Sequence, residues 1–546
     1  MHLEKISSPA DFRHFSIEKL NELSTEVRER ILSVISETGG HLASSLGAVE
    51  LTVALHFVYN TPHDKIIWDV GHQCYAHKIL TGRNALFPTI RQHNGLSGFP
   101  RASESPYDTF DVGHASTSIS VALGLVQARE INRQKFDVIA VIGDGSMTGG
   151  LAYEGLNNAG VLKKNMIVIL NDNKMSISPN VGAMSSYLTK LLTDPRYNKL
   201  KADIWEVTGR FKRFGDRLRI AASRVEESLK GLLLPGRLFE DLGFRYFGPI
   251  DGHNIDEMIR TFRNIRENVQ GPVLIHVITK KGKGYNPAET NSAKFHGVGA
   301  FEKETGETVK AGPVPTYSAV FGRTLVKLAE ADSRVVGITA AMPTGTGMEL
   351  FAQKFPGRYF DAGIAEGHAV TFAGGLAKGG LKPVVALYST FLQRALDNII
   401  HDVALQKLNV LFCLDRGGLT PDDGPTHHGA FDMSFLRSIP DAVIMSPKDE
   451  NELQHMMYTG LRCEGPVFIR YPRGVGTGVA LDESFREIQI GSFEEIAHGK
   501  DGLILALGEM VERAQQVRDA LKEKGFDIAV INARFVKPLV YSELEE

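Results

Sequence analysis

The sequence has 546 residues, 43% of them hydrophobic, and a formal net charge of −3. This length predicts several domains with large cores, and the weak charge argues against nucleic acid or an anionic membrane as a partner. The three cysteines are far apart and form no CxxC pair, which is typical of a reducing compartment. No apolar run approaches the roughly 20 residues of a membrane span, and the first residues lack a signal-peptide core, so we expect a cytoplasmic protein.

The first elements predicted in chain order are two helices and a strand. Apolar residues recur at helical spacing over residues 16–37, with Ser16 as a capping residue and Gly39-Gly40 as the stop. His41 is expected in a Gly/Ser loop before a second helix at residues 47–59. Residues 66–68 predict a short strand that leads to His72. Further on, residues 118–130 predict another helix.

Two apolar runs with polar ends are the most informative feature of the sequence. Residues 138–142 and 166–170 predict buried parallel strands, followed by Gly143-Asp144-Gly145 and Asn171-Asp172-Asn173. In open α/β sheets ligands bind at the carboxyl ends of strands, and carboxylate and amide oxygens suit Mg²⁺. Gly149-Gly150 precedes a helix whose N-terminus favours an anion. An isolated GDG is more often only a turn, but the pair predicts a magnesium–diphosphate site.

The pair also carries a family resemblance. GDG followed about thirty residues later by NDN resembles the thiamine diphosphate motif. The longer strings GDGSMTGG and LNDNKMSISPNVGAM resemble the 1-deoxy-D-xylulose-5-phosphate synthase family of transketolase-like enzymes. The resemblance implies Mg²⁺ ligands at Asp144, Asn173 and the main-chain carbonyl of Met175. It implies cofactor contacts at His72, Gly113, His114, Ala115, Asp144, Gly145, Ser146, Asn173, Tyr285 and Glu366. Ala115 stands where the family usually has serine, so only a main-chain contact is expected there.

The middle of the chain is more polar. Residues 184–242 are rich in Arg and Lys, but interleaved acidic residues favour a solvated helical excursion over a phosphate or RNA site. Residues 272–278 predict a further strand. Residues 280–315 are interpreted as a linker. Lys281 and Lys283 in it could attract phosphate, but solvated side chains are the favoured interpretation. By resemblance, His296 joins His41 and His72 around the reacting carbon, where imidazole transfers protons near neutral pH.

A second α/β domain is predicted at residues 316–490. Its strand-like runs, at 334–338, 383–388, 409–414, 442–446 and 466–472, alternate with helical stretches, as in a parallel sheet. Glu366 lies at a predicted helix start, where a carboxylate ordinarily stabilises the helix dipole. The resemblance gives it a sharper role, because the aminopyrimidine of the cofactor needs a carboxyl at N1′ to become a base. Gly367 departs from the family pattern at the next position.

Several cations follow predicted strands in this domain. Guanidinium groups pair with phosphate in a bidentate manner, so their convergence suits a phosphorylated substrate. By resemblance the phosphate site comprises Tyr388, Arg394, Arg416 and Arg473, and Asp423 and His427 are catalytic. Adjacent His427 and His428 do not have the spacing of a zinc site. Pro421 replaces the family's usual glycine.

A third α/β unit is expected at residues 491–546, with strands at 503–507 and 527–532 around a helix at 511–524, and it looks incomplete. The predicted fold is thus two consecutive doubly wound parallel-sheet domains, 1–312 and 316–490, and a partial third. The resemblance implies a homodimer that uses thiamine diphosphate and Mg²⁺ to join pyruvate, with loss of CO₂, to D-glyceraldehyde 3-phosphate, at the start of non-mevalonate isoprenoid synthesis and with a link to thiamine biosynthesis. A transketolase with a ketose donor and a non-catalytic cofactor-binding paralogue remain alternatives.

Overall fold

The computed structural model describes residues 2–175, 182–193, 236–308, 312–421 and 423–540. Its contacts divide the chain into two units, Met1–Ile90 with Phe99–Gly306 and Arg91–Gly98 with Glu307–Glu546. Most of the predicted charged excursion at residues 184–242 lies outside the described residues. Of that segment, the structure describes the helices Gly182–Thr193 and Arg237–Asp241.

The first unit is built on a five-stranded sheet in which all strands are parallel. The strands are β1 (Lys65–Trp68), β2 (Val138–Gly143), β3 (Met166–Asp172), β4 (Arg245–Asp251) and β5 (Pro272–Ile278), in the spatial order β1-β2-β3-β5-β4. The apolar residues of β2 and β3 are buried, as expected for central strands covered on both faces. This sheet brings the carboxyl ends of β2, β3 and β5 to one edge.

The longer helices of the first unit are close to those predicted. Ile17–Thr38 is capped by Ser16, whose hydroxyl accepts the Lys19 amide at 3.4 Å. The remaining α-helices are Leu42–Gly47, Val49–Val58, Tyr75–Lys78, Ser118–Ile131, Gly150–Leu162, Ile255–Asn268 and Asn286–Thr290. The predicted loop after His41 is wrong, because residues 42–47 are buried and form a helix of their own, which ends at Ala48.

Strand β4 was not predicted from the sequence. It contains Gly248-Pro249, a pair that argues against a regular strand because proline lacks a ladder donor. The structure accommodates the pair with an irregularity in the pairing of β4 with β5 between Phe247 and Ile250. The strand pairs on one side only, since β4 is the edge of the sheet.

The second unit contains a seven-stranded sheet. Its strands are β6 (Val335–Thr339), β7 (Tyr359–Asp361), β8 (Lys382–Tyr388), β9 (Leu411–Asp415), β10 (Val443–Met445), β11 (Val467–Arg470) and, near the end of the described chain, β15 (Phe535–Lys537). The order is β15-β10-β11-β9-β8-β6-β7, with every pair parallel except β10 with β15. The βα alternation predicted for this region is therefore confirmed.

The same unit carries a smaller, three-stranded sheet. It consists of β12 (Glu494–Ala497), β13 (Gly502–Ala506) and β14 (Ile528–Asn532), in the order β12-β14-β13. The α-helices of the second unit are Tyr317–Ala331, Pro343–Thr346, Glu349–Lys354, Glu366–Lys378, Ser389–Leu392, Leu396–Asn398, Asp432–Arg437, Glu450–Gly460 and Met510–Lys522. Within the described ranges, no helix has the length and apolar character needed to cross a membrane.

Candidate active site

The two predicted strand-end motifs meet at the edge of the first sheet. Asp144 directly follows β2 and Asn173 directly follows β3, and these strands are parallel neighbours with Gly143 opposite Asn171. The Asp144 amide donates to the Asn171 carbonyl at 3.3 Å. The sequence-predicted pair is therefore brought together by strand register.

The NDN segment forms a tight turn beyond β3. Asp172 accepts the Lys174 amide at 3.0 Å, and the Asn173 side-chain oxygen accepts the Met175 amide at 3.1 Å. Lys174 adopts a left-handed conformation with φ of 60°, which costs a residue with a side chain on the order of 1 kcal/mol. These bonds define where the Asn173 side chain and the Met175 carbonyl stand.

Charges at this edge are closely packed. Burial, reinforced by the Asp172 carboxylate, raises the pKa of Asp144 well above its usual range. Burial also opposes ionisation of Asp172, but hydrogen bonding and charge from His276 outweigh it and lower the pKa of Asp172. The ionised form of Asp144 is therefore unfavourable at this edge. A bound divalent cation would stabilise that form, so the arrangement fits a metal site. No cluster of three or more His, Cys, Asp or Glu suited to a metal occurs in the described ranges.

Lys281 was predicted to be solvated, and this prediction is wrong. Lys281 is only 5% exposed. Burial lowers its pKa to about 8, even though the nearby Asp144 favours the charged form of the lysine. The main chain around it is held to the first unit, since the Gly282 amide donates to the Ala43 carbonyl at 2.8 Å. A string such as KKGKGY gives no periodicity from which burial of one lysine can be inferred.

The predicted cofactor loop at Gly113, His114 and Ala115 is held in place by Asp69, for which the sequence predicts no role. Asp69, fully buried after β1, accepts the amides of Ser116 and Ser118 at 2.8 and 3.0 Å. Ser116, with φ of 74°, donates its hydroxyl to the Ser146 carbonyl at 2.7 Å. The loop at residues 113–116 is thereby bonded both to Asp69 after β1 and to the glycine-rich turn that contains Gly145 and Ser146.

Three of the predicted catalytic histidines form one cluster in the first unit. The ring centroids lie 5.9 Å apart for His41 and His72, 5.8 Å for His41 and His296, and 5.1 Å for His72 and His296. Burial, followed by the positive charge of Lys281, lowers the pKa of His296 well below its usual range. Burial therefore favours the neutral imidazole at His296.

Tyr285, predicted to contact the cofactor, lies beside this cluster in sequence but has its own structural contacts. Its hydroxyl donates to the Lys303 carbonyl at 2.8 Å, and its ring packs against Phe295 and Phe301. The residue is 7% exposed. The described contacts therefore tie Tyr285 to the 295–303 segment.

In the second unit, Glu366 begins the helix Glu366–Lys378 and is 2% exposed. Arg394, predicted for the phosphate site, donates to the Glu366 carboxylate at 3.1 Å. A Cβ at Gly367 would come within 2.8 Å of the Asn398 side-chain oxygen, so a larger residue there would require the Asn398 side chain to move. The buried carboxylate thus has a fixed position at a helix N-terminus and a cationic neighbour.

Further cations and aromatics in the second unit surround Asp423. The guanidinium of Arg416 stacks over the Tyr388 ring at 3.6 Å from its centroid. Asp423 pairs with Arg473 at 3.4 Å and with Arg91 at 3.2 Å. Sequence reasoning missed Arg91, which lies more than 300 positions away in the chain and has no motif around it.

His427 is mostly buried at the short helical turn Pro425–His427. Its Nδ1 lies 3.0 Å from the Thr426 hydroxyl, and its ring contacts Phe391 with 5.5 Å between centroids. Phe391 in turn stacks against Tyr388. His427 is therefore linked through aromatic contacts to the ring that carries Arg416.

Three family models together match nearly all of the sequence. The model described as 1-deoxy-D-xylulose-5-phosphate synthase matches residues 3–279, the pyrimidine binding domain of transketolase matches 314–477, and the C-terminal domain of transketolase matches 491–544. These matches and the parallel sheets define a transketolase-like α/β protein of the thiamine diphosphate-dependent class.

Full-length comparisons give the narrower assignment. Proteins named 1-deoxy-D-xylulose-5-phosphate synthase from Pelotomaculum thermopropionicum, Halothermothrix orenii and Desulfitobacterium hafniense are 56%, 55% and 54% identical over 98% of this chain and 84%, 84% and 85% of their own lengths. The chain belongs to the 1-deoxy-D-xylulose-5-phosphate synthase family. Among solved structures, transketolase from Campylobacter jejuni aligns over 95% of this chain and 89% of its own at 18% identity with a TM-score of 0.40.

Proposed function

We propose that this chain catalyses the reaction for which its relatives are named, the synthesis of 1-deoxy-D-xylulose 5-phosphate. Pyruvate loses CO₂, and its remaining two carbons join the aldehyde carbon of D-glyceraldehyde 3-phosphate. The observation that carries the proposal is the meeting of Asp144 and Asn173 at one sheet edge in a chain that is more than half identical to named synthases. Bound thiamine diphosphate would supply the carbanion that this chemistry requires, and Mg²⁺ would hold its diphosphate.

The cofactor's diphosphate end suits the first unit. Asp144, the Asn173 side chain and the Met175 carbonyl are the oxygen donors for Mg²⁺. The Lys281 ammonium adds positive charge at the same edge, where the helix Gly150–Leu162 also begins. The loop around Gly113, His114 and Ala115 and the turn at Gly145 and Ser146 provide groups for the remaining contacts, and we assign Tyr285 to the cofactor as well.

The acid–base residues divide between the two units. Glu366, held by Arg394, would hydrogen-bond the aminopyrimidine ring of the cofactor when it is bound. His41, His72 and His296 exchange protons with the reacting carbonyl groups. We assign His427 to the same task and Asp423 to the placement of its neighbouring arginines.

The acceptor's phosphate is a doubly charged anion, and the second unit offers guanidinium groups for it. Arg416 and Arg473 are the principal candidates, with Tyr388 supporting Arg416 through its ring. Arg394 is better suited to Glu366, with which it is already paired. We further propose a homodimer in the cytoplasm whose product feeds isoprenoid and thiamine synthesis; light scattering at several protein concentrations tests the dimer.

The test of the function is CO₂ release from pyruvate with thiamine diphosphate and Mg²⁺, with and without glyceraldehyde 3-phosphate. We expect release that rises with the aldehyde phosphate and is lost in Glu366→Gln. The matched control is Glu330→Gln, which makes the same change at an exposed position. Cofactor binding without CO₂ release would overturn the synthase proposal. Turnover of a ketose phosphate donor instead would indicate a transketolase.

A further inference from the structure

A buried polar relay crosses the first sheet and ends at the turn that carries the proposed magnesium ligands. It begins at Tyr246 on β4, passes through His276 on β5 and reaches Asp172 at the end of β3. The Tyr246 hydroxyl lies 2.7 Å from His276 Nδ1, and His276 Nε2 lies 2.9 Å from Asp172 Oδ2. These bonds are all satisfied when the hydroxyl donates to Nδ1 and Nε2–H donates to the carboxylate.

Removing any one side chain of the relay would leave its neighbours without a hydrogen-bond partner. The His276 side chain is fully buried and the Asp172 side chain is 2% exposed, so losing one partner would leave polar groups without compensation in the sheet. Aromatic packing fixes its outer end, because the Tyr246 ring stacks on Phe239 at 6.0 Å. Gly236 is required beside it, since a Cβ there would come within 2.4 Å of the Tyr246 ring.

The carboxylate of Asp172 contacts the relay, the turn and the Asp144 side chain. Oδ2 faces His276, whereas Oδ1 accepts the amide of Lys174 at 3.0 Å. That amide belongs to the residue with φ of 60°, a conformation that persists only when surrounding contacts hold it. The residues on either side of Lys174 are Asn173 and Met175, so the orientation of Asp172 determines where both proposed ligands stand.

We propose that Tyr246, His276 and Asp172 are positioning residues that set the magnesium affinity of the chain by holding the turn at residues 173–175. None of the three supplies a metal ligand. The inference rests on the proposed function only in that it takes Asn173 and the Met175 carbonyl as magnesium ligands. Outer-shell partners of this kind typically change metal affinity roughly 10- to 100-fold when they are removed.

The experiment measures metal affinity directly, by calorimetric titration of Mg²⁺ into the full chain with saturating thiamine diphosphate. We expect His276→Leu to weaken Mg²⁺ binding about tenfold or more, because it removes the donor to Asp172. His276→Gln keeps an N–H near the Nε2 position and should recover most of the affinity. The matched control is His455→Leu in the second unit, where a buried histidine also lies 2.9 Å from an aspartate, Asp482.

Several outcomes decide the matter. Mg²⁺ binding that is weaker in His276→Leu but unchanged in the His455→Leu control supports the relay. Excess Mg²⁺ should then restore the activity of His276→Leu, whereas it would not correct a general loss of stability. Unchanged Mg²⁺ affinity in a folded His276→Leu variant overturns it. If that variant fails to fold by circular dichroism, Tyr246→Phe removes only the outer donor, and it must weaken Mg²⁺ binding in the same direction for the proposal to stand. A wild-type chain that binds no Mg²⁺ overturns the proposed magnesium site together with the relay.

Discussion

Replacing Asp69 with alanine should release the loop that faces the glycine-rich turn. The carboxylate accepts two buried amides, from Ser116 and Ser118, and an alanine side chain offers no acceptor in its place. Each unsatisfied buried amide costs about 1–3 kcal/mol. Burial raises the pKa of Asp69, which shows that its charge is itself penalised, so we take a net cost near the low end, about 3 kcal/mol for the pair.

Amide hydrogen exchange read by mass spectrometry measures this loss at the loop itself, which avoids treating a multidomain chain as a single two-state unit. A cost of about 3 kcal/mol predicts a roughly 100-fold loss of protection at Ser116 and Ser118. Asp69→Asn keeps one acceptor oxygen and should deprotect one of the two amides. Asp251→Ala, at an exposed aspartate that also accepts an amide, is the control. Full protection of both amides in a folded Asp69→Ala chain would refute the reasoning.

Two other buried groups give pH-dependent predictions. Burial raises the pKa of Asp415 from 3.8 to about 6. The wild type is therefore most stable relative to Asp415→Asn below about pH 4, and it loses about 3 kcal/mol of that advantage mainly between about pH 4 and pH 6. Amide hydrogen exchange of strand β9 in both proteins at pH 4.5 and 7.5, corrected for intrinsic exchange rates, checks this, and an equal change in protection in the two proteins would contradict it. Lys281→Met should weaken thiamine diphosphate binding about tenfold at pH 7 through loss of one charged donor, with Lys283→Met as the control. Because burial lowers the pKa of Lys281 to about 8, wild-type affinity should fall above that pH, and calorimetry should find no such fall in the methionine variant.

The sequence was sufficient where one physical signal dominated. Apolar β-branched runs predicted β2, β3 and β5, and the polar residues after them predicted that Asp144 and Asn173 would meet. The signal was strong because a buried parallel strand tolerates few other patterns. The irregular edge strand β4 was missed for the opposite reason, since its Gly248-Pro249 pair resembles a turn.

Long-range contacts were not predictable from local patterns. Nothing in the residues around Arg91 indicates that its guanidinium reaches Asp423. The burial of Lys281 depends on how residues 280–282 pack against the segment around Ala43. Asp69 was visible in the sequence, but its role became clear only from the two amides it accepts in a loop some 47 positions later. Such roles arise from tertiary packing, which no motif records.

Strand β15 has a consequence for how the chain could be divided. It lies within the segment matched by the C-terminal transketolase model, yet it pairs with β10, which belongs to the segment matched by the pyrimidine-binding model. Asn532 and Arg534 reinforce this junction through bonds to Glu452 at 3.0 and 2.7 Å. A cut at the boundary between the two matched segments would place β10 and β15 on different fragments. Strand β10 would then become an unpaired sheet edge, and β15 would lose its pairing partner. Gene fusion, truncation or domain exchange should therefore keep residues 307–540 together, along with residues 91–98, which belong to the same unit.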